Sequence, residues 1–244
     1  SSYTKLGYNA LNMNIAYKLY SLYSRTTIYT YLTYEKADNT EMLNYQNDGL
    51  LHNQNYMDGG EKETVSATLY ANKGLGNLPI DAKLTTTFLW NRNEIAYNSI
   101  PYKMLIGSLK TDLGFASRFK IPFNVEIDGL CNKLTNKVTD LNIDSSDKEI
   151  GGTAKLIFAK NKFASFVTGK WNKIENTSGS KILRDIDFSI SYKIKKFTCK
   201  LSGTNIFHLN GINWLKQNVT PTYTSYVRYK QHSGNVMLSL TYQL

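Results

Sequence analysis

Strict alternation of apolar and polar residues constrains this chain more than any other feature. In the last ten residues, NVMLSLTYQL, the side chains of Val236, Leu238, Leu240, Tyr242 and Leu244 fall on one side of an extended backbone. Met237, Ser239, Thr241 and Gln243 fall on the other side. A period of two, with one apolar and one polar side, predicts a β-strand with two different faces.

The same alternation recurs along the whole chain, separated by turn residues and polar segments. It predicts eleven strands near residues 8–19, 26–34, 64–71, 83–91, 105–115, 124–132, 154–158, 163–172, 185–194, 197–203 and 235–244. We therefore expect an all-β fold in which the strands follow one another as an antiparallel meander, with residues 1–244 forming a single domain and no plug domain.

The connections between the predicted strands alternate in length. Those after the first, third, fifth, seventh and ninth strands are short and include KGLGNLP at 73–79, FKIPF at 119–123 and KIKKF at 193–197. The segments Asp38 to Glu61 and Leu209 to Ser225 are long and polar and are predicted to be loops, as is Asp140 to Lys148. Short turns at one rim and long loops at the other are typical of transmembrane β-barrels, with the short rim periplasmic. A two-sheet sandwich would also alternate but gives no reason for this asymmetry.

Charged residues of the strands follow the polar phase of the alternation. Because a charge facing lipid near mid-bilayer costs about 2–4 kcal/mol, this phase predicts the lumen of a barrel. The residues concerned are Lys18, Lys83, Lys110, Asp112, Glu126, Asp128, Lys155, Lys170, Asp185, Asp187 and Lys200. The residues predicted to face lipid are Leu11, Ile15, Leu84, Phe88, Leu109, Ile127, Leu156, Val167, Phe188, Ile190, Leu201, Leu238 and Leu240. A soluble barrel filled by its apolar face would have about eight strands, fewer than expected here.

The charge distribution, the hydropathy and the cysteine content each argue against one class of protein or feature. The net charge is +10, but the lysines are scattered apart from KIKK at 193–196, which argues against a nucleic-acid groove. No apolar run reaches about 18 residues, so a helical membrane span is excluded. Cys131 and Cys199 are predicted to lie on strands far apart and to form no disulfide. The chain lacks an initiator Met and a signal peptide, and we expect it to be a mature or truncated segment.

The sequence predicts no catalytic, cofactor-binding or metal-binding residues, and no enzyme activity. His52, His208 and His232 lack metal-ligand spacing, and no nucleophile motif or phosphate loop is present. The carboxylate pairs Asp185/Asp187 and Glu126/Asp128 could flank a sugar. We interpret them instead as counter-charges to lumenal lysines.

The last sixty residues carry a family resemblance. DIDFSISY at 185–192, the KIKKF turn, an Asn205-Ile206-Phe207 (NIF) element expected in the penultimate strand and the closing VRYKQHSGNVMLSLTYQL resemble the C-terminal end of TonB-dependent receptors, including SusC-like outer-membrane barrels. The chain departs from their pattern at the terminal aromatic, since position 244 is Leu and Tyr242 lies two residues earlier.

The resemblance implies a role and a set of partners. It implies a bacterial outer-membrane barrel of about 22 strands, of which this chain is the C-terminal half, used for uptake or binding of a bulky nutrient ligand. The implied partners are outer-membrane lipid and lipopolysaccharide, TonB, a surface lipoprotein, and the missing N-terminal barrel half and plug or another polypeptide that completes the barrel. The alternative is a non-transporting barrel that serves as a structural or docking subunit of a larger assembly. In either case we expect Tyr8–Leu19 and Val236–Tyr242 to pair with polypeptide outside this sequence.

Overall fold

Backbone pairing gathers eleven strands into one antiparallel sheet. A computed structural model describes residues 9–48, 51–141, 143–177, 179–219, 224–231 and 233–242. The strands of the sheet are β1 (Asn9–Ser21), β2 (Thr26–Asp48), β3 (Leu51–Gly74), β4 (Ile80–Tyr97), β5 (Ile100–Ser117), β6 (Phe123–Val138), β7 (Ile143–Lys160), β8 (Phe163–Asn176), β9 (Gly179–Ile194), β10 (Phe197–Thr204) and β13 (Asn235–Tyr242). β11 (Ile212–Val219) and β12 (Thr224–Gln231) form a separate two-stranded sheet.

The all-β meander predicted from the sequence is confirmed. Each sheet strand pairs with the next in chain order, except that β13 follows β10. The connections predicted to be short lie where expected, and Pro122 lies just before β6. The strands form one continuous sheet rather than the two packed sheets of a sandwich. The ends of the predicted outer strands, Tyr8 and Leu244, lie outside the described residues.

The segments predicted as loops are largely strands, and this prediction was wrong. The described parts of the segment from Asp38 to Glu61 extend β2 and β3 as a hairpin, residues 143–148 begin β7, and the segment from Leu209 to Ser225 contains β11 and the start of β12. The alternation fails there because buried positions are not uniformly apolar: in the outer part of β2, Met42 and Asn44 lie on the same side of the strand and both are buried. Backbone pairing with the neighbouring strand still satisfies the N–H and C=O groups of these segments.

The β2–β3 hairpin bends over the end of β4. The register of β2 against β3 shifts between Ala37 and Met42, where Asn39 adopts a φ of 58°. Beyond this bulge, Asn44 and Tyr45 of β2 pair in parallel with Ala96 and Tyr97 of β4. The buried apolar residues of the described chain lie at this end of the sheet: Ala37, Met42, Ile95, Ala96 and Val138.

Register partners show that the alternation is in phase across the sheet. Residues opposite one another in neighbouring strands present their side chains on the same face. Ile15, Leu32, Ala67, Phe88 and Leu109 are successive partners in one such row. The same relation puts all the residues predicted to face lipid on one face, here named the apolar face, and the predicted lumenal charges on the other, the polar face.

The apolar face is exposed rather than packed. Leu11, Ile127, Leu156 and Val167 keep about half of their surface accessible, and Leu238 is 70% exposed. A closed apolar interior, which would have favoured a water-soluble barrel, is therefore not present in the described part of the chain.

The short turns are staggered in one direction along the sheet. One row of register partners begins at Thr26, beside the first turn, and runs through Lys73, Ala82, Phe115, Ile127, Ala154, Gly169 and Ile186. Ile127 lies four residues after the start of β6 at Phe123, whereas Ile186 lies eight residues before the end of β9 at Ile194. From one short hairpin to the next the displacement is thus about two residues on average, always in the same direction.

This stagger sets the strand tilt. One residue per strand, with a rise of about 3.3 Å per residue and a strand spacing of about 4.8 Å, corresponds to a tilt of about 35°. Strands of closed barrels tilt by about 35–45°. Within the described residues the sheet itself is open, because β1 pairs only with β2 and β13 pairs only with β10.

Candidate functional site

Charged side chains on the polar face of the sheet line a cavity and form hydrogen bonds and ion pairs with one another. A cavity of about 390 Å³ lies along β5–β9 beside the segment that follows β10. It is lined by Asp112, Asp128, Gly129, Leu130, Gly152, Thr153, Lys170, Trp171, Asn172, Leu183, Arg184, Asp185 and Asn205. The carboxylate, amide and ammonium groups among them lie on the polar face because successive side chains of a strand point to opposite faces of the sheet.

Two carboxylates of β9 hold the segment after β10 against the sheet. Asp187 forms an ion pair with Lys170 of β8 and accepts a hydrogen bond from the backbone N–H of Asn205 at 2.9 Å. Asp185 accepts the backbone N–H of Phe207 at 3.1 Å, and its other oxygen lies 2.8 Å from Nδ1 of His208. Both carboxylates are largely buried, with side-chain exposures of 17% for Asp187 and 11% for Asp185.

The chain reverses tightly at this point. Asn205 adopts a left-handed conformation with φ of 49°, and residues Ile206–His208 form a single turn of 3-10 helix. Gly234, just before β13, donates its N–H to the carbonyl oxygen of His208 at 3.0 Å. A Cβ at position 234 would collide with the carbonyl oxygens of Thr204 and Asn205, so only glycine fits there.

The NIF element therefore lies after the penultimate strand and not within it. The sequence could not reveal that Asp185 and Asp187 receive its backbone N–H groups, because the contact joins residues about twenty positions apart. The one available signal was the spacing of two carboxylates on the same face of β9, which the sequence analysis interpreted as counter-charges to lysines.

That interpretation holds for Asp187 and Glu126. Lys155 Nζ lies 3.0 Å from Glu126 Oε2 on the neighbouring strand, and Lys110 Nζ lies 3.5 Å from Asp112 Oδ2. Asp128 instead accepts a hydrogen bond from the hydroxyl of Thr153 at 3.4 Å. Since these carboxylates already have donors, the polar face is a charge-balanced surface suited to water, polar solutes or a polar protein segment.

The histidines and cysteines occupy separate places. Among the described residues, no three His, Cys, Asp or Glu side chains come together as a metal site. His208 contacts Asp185, the backbone of His52 lies in β3, and His232 lies outside the described residues. Cys131 and Cys199 are free, as predicted, and both are exposed on the apolar face.

Comparisons with known proteins do not assign a family. Neither a protein-family model nor a curated protein sequence matches the chain. Within the described residues, no helix combines the length and apolar character needed to cross a membrane.

Proposed function

We propose that the chain forms part of the wall of an outer-membrane β-barrel of the TonB-dependent receptor type, which binds or takes up a bulky nutrient ligand. The stagger of the short turns, which always runs in one direction, carries this proposal. A sheet whose hairpins shift in one direction by about two residues each, on average, has the tilt that a barrel wall requires. A flat sheet has no reason to keep one direction of stagger over five short hairpins.

The distribution of apolar surface supports a lipid environment. A water-soluble domain of this length buries a large core, whereas the buried apolar residues described here are few and lie at one end of the sheet. The apolar face extends over all eleven sheet strands and is exposed on every one except β3, where its residues are half-buried. In water this face would favour aggregation. Lipid chains against this face remove that cost.

The receptor role is supported by the polar face and by the rim that carries the long hairpins. The polar face offers a cavity with hydrogen-bonding and charged groups, and the β2–β3 and β11–β12 hairpins extend beyond the sheet at the same rim. Long hairpins above a polar lumen provide surface for a ligand that is too large for passive diffusion. A docking subunit without transport remains the second candidate, because the same hairpins could contact a partner protein.

Site-directed spin labels in the full-length protein test the barrel wall. Labels at Ile127 and Leu156 are expected to be accessible to oxygen dissolved in lipid, and labels at neighbouring Asp128 and Lys155 to a water-soluble nickel chelate. Equal accessibility at both sets would contradict the proposal.

Ligand uptake by whole cells separates the two roles. Uptake that requires both this protein and the proton-motive force supports the receptor. Correct membrane insertion without any uptake supports the docking subunit.

A further inference from the structure

Basic residues that lie far apart in the sequence come together in the fold. They lie at the rim formed by the short turns. This basic rim consists of segments 20–27, 73–81, 116–124, 159–164 and 193–198, which are the five short connections with two strand residues on each side. Its basic residues are Arg25, Lys73, Arg118, Lys120, Lys160, Lys162, Lys193, Lys195 and Lys196. The one acidic residue in these segments is Asp81.

The opposite rim shows no such imbalance. In segments 38–62, 92–105, 136–148, 173–182 and 205–234, acidic and basic residues are equal in number. The basic rim therefore accounts for most of the net charge of +10. Solvated charges spread over the surface for solubility would not be expected to favour one rim so strongly.

Most of the rim lysines have no carboxylate partner. Asp81 pairs with Arg25 and Arg118 and so links the first three short connections. In the described part of the chain, Lys73, Lys120, Lys160, Lys162 and Lys195 form no ion pair, and all five are exposed. Lys196 lies over the ring of Tyr242, with Nζ 5.9 Å from the ring centre. Their positive charge is thus available to an external anion.

Aromatic side chains border this rim on the apolar face. Phe123, Phe158 and Phe163 of three successive strands contact one another, with ring centres 4.7 and 5.6 Å apart. Phe197 and Tyr242 form a second pair at 4.8 Å. Aromatic rings beside cationic side chains match a membrane interface, where the rings lie at headgroup level and the cations meet phosphates.

We propose that the basic rim binds the phosphate groups of anionic phospholipids in the adjacent leaflet. The inference rests on the proposed barrel function, which puts the apolar face in the bilayer and the short turns at its surface. Several cations within about a Debye length of one another attract an anionic surface together. The partner is therefore a phosphatidylglycerol-like lipid, held by charge and bordered by the aromatic pairs.

The test neutralises three rim lysines that form no ion pair, as K160Q/K162Q/K195Q, in the full-length protein. The matched control neutralises three exposed lysines of the opposite rim, as K103Q/K137Q/K148Q. Flotation first measures insertion into vesicles of pure phosphatidylcholine. Spin-labelled phosphatidylglycerol then measures the preference for anionic lipid, in phosphatidylcholine vesicles that contain phosphatidylglycerol.

The rim variant is expected to insert normally but to lose phosphatidylglycerol preference by about tenfold or more at low salt. The control variant is expected to keep it. Equal preference in the two variants overturns the inference while leaving the barrel intact. Failure of the native protein to insert into either vesicle overturns the barrel proposal itself. If the rim lysines affect only co-purification of an acidic protein, or only binding of lipopolysaccharide, the phospholipid assignment is wrong.

Discussion

At the scale of single residues, the free-energy cost of introducing a charge is expected to depend on the face of the sheet on which the side chain lies. Ile190 lies on the apolar face, four residues from the end of β9, and Ser191 lies beside it on the polar face. Ile190→Arg is expected to lower the free energy of unfolding in a bilayer by about 2–4 kcal/mol, because in the proposed barrel the new guanidinium would face hydrocarbon. Denaturant titration of the full-length protein in vesicles measures this value.

Ser191→Arg is the matched control for that substitution. It introduces the same side chain one residue away on the same strand, where water can solvate the charge, and we expect a loss below about 1 kcal/mol. If both substitutions destabilise the protein equally, the two faces do not meet different solvents.

An exposed ion pair near the long rim gives a prediction for pH. Glu175 lies near the end of β8, beyond the apolar band, and its hydrogen bond and charge interaction with Lys173 lower its pKa. The pair therefore favours the folded state above the unfolded pKa, and this contribution disappears as the pH falls through the folded pKa. Lys173→Met is expected to raise the pKa of Glu175 towards its ordinary value.

Carbon-13 NMR of the labelled Glu175 carboxyl measures this change. Lys148→Met serves as the control, because Lys148 contributes less to the lowered pKa of Glu175 than Lys173 does. A pKa that does not respond to loss of Lys173 would contradict the assigned cause.

At the scale of elements, the tether between β9 and the 3-10 turn is a structural feature that sequence periodicity could not show. Asp187→Ala removes the acceptor for the Asn205 N–H and leaves Lys170 without its counter-charge. We expect a loss of about 1–3 kcal/mol and faster hydrogen exchange at Asn205. Asp187→Asn keeps an acceptor oxygen and is expected to preserve most of the amide protection. Unchanged exchange in Asp187→Ala would show that the tether does not hold the turn.

Alternation of apolar and polar residues explains which strands could be predicted from the sequence and which could not. It located every strand of the eleven-stranded sheet and assigned the faces of residues such as Leu109 and Lys110, because side chains of a strand point alternately to its two sides. It missed β11, β12 and the outer parts of β2, β3 and β7, where apolar and polar residues do not alternate regularly. It placed the short turns that carry Lys120 and Lys195 at one rim but did not recognise the excess of positive charge there, because the lysines are far apart in the sequence.

At the scale of the whole molecule, the meander fixes which connections share a rim. The turn at Asn98–Ser99, where both residues have positive φ, lies at the same end as the β2–β3 hairpin. The turn at Asn161–Lys162 lies at the opposite end. An epitope inserted after Asn98 is expected to bind antibody on intact cells. The same epitope after Asn161 is expected to bind only after the outer membrane is permeabilised. The reverse pattern would invert the proposed topology.

The edges of the sheet determine whether this wall is complete. β1 and β13 each have a partner on one side only within the described residues. In hydrocarbon, each unsatisfied backbone N–H or C=O would cost several kcal/mol, so an exposed edge cannot persist there. An antiparallel meander of eleven strands also cannot close on itself without one parallel pair. We therefore expect each edge strand to pair with polypeptide outside this sequence, giving a barrel of about 22 strands.

Cysteine cross-linking in the full-length protein, with Cys131 and Cys199 replaced, tests this arrangement. Leu201→Cys with Leu238→Cys is the positive control, because these residues are register partners in β10 and β13 and side chains in such pairs lie about 5 Å apart. That pair is expected to form a disulfide on mild oxidation. Ile15→Cys with Leu238→Cys is expected to form none, because other strands lie between β1 and β13. A disulfide between positions 15 and 238 within one chain would instead indicate a small barrel closed by β1 and β13.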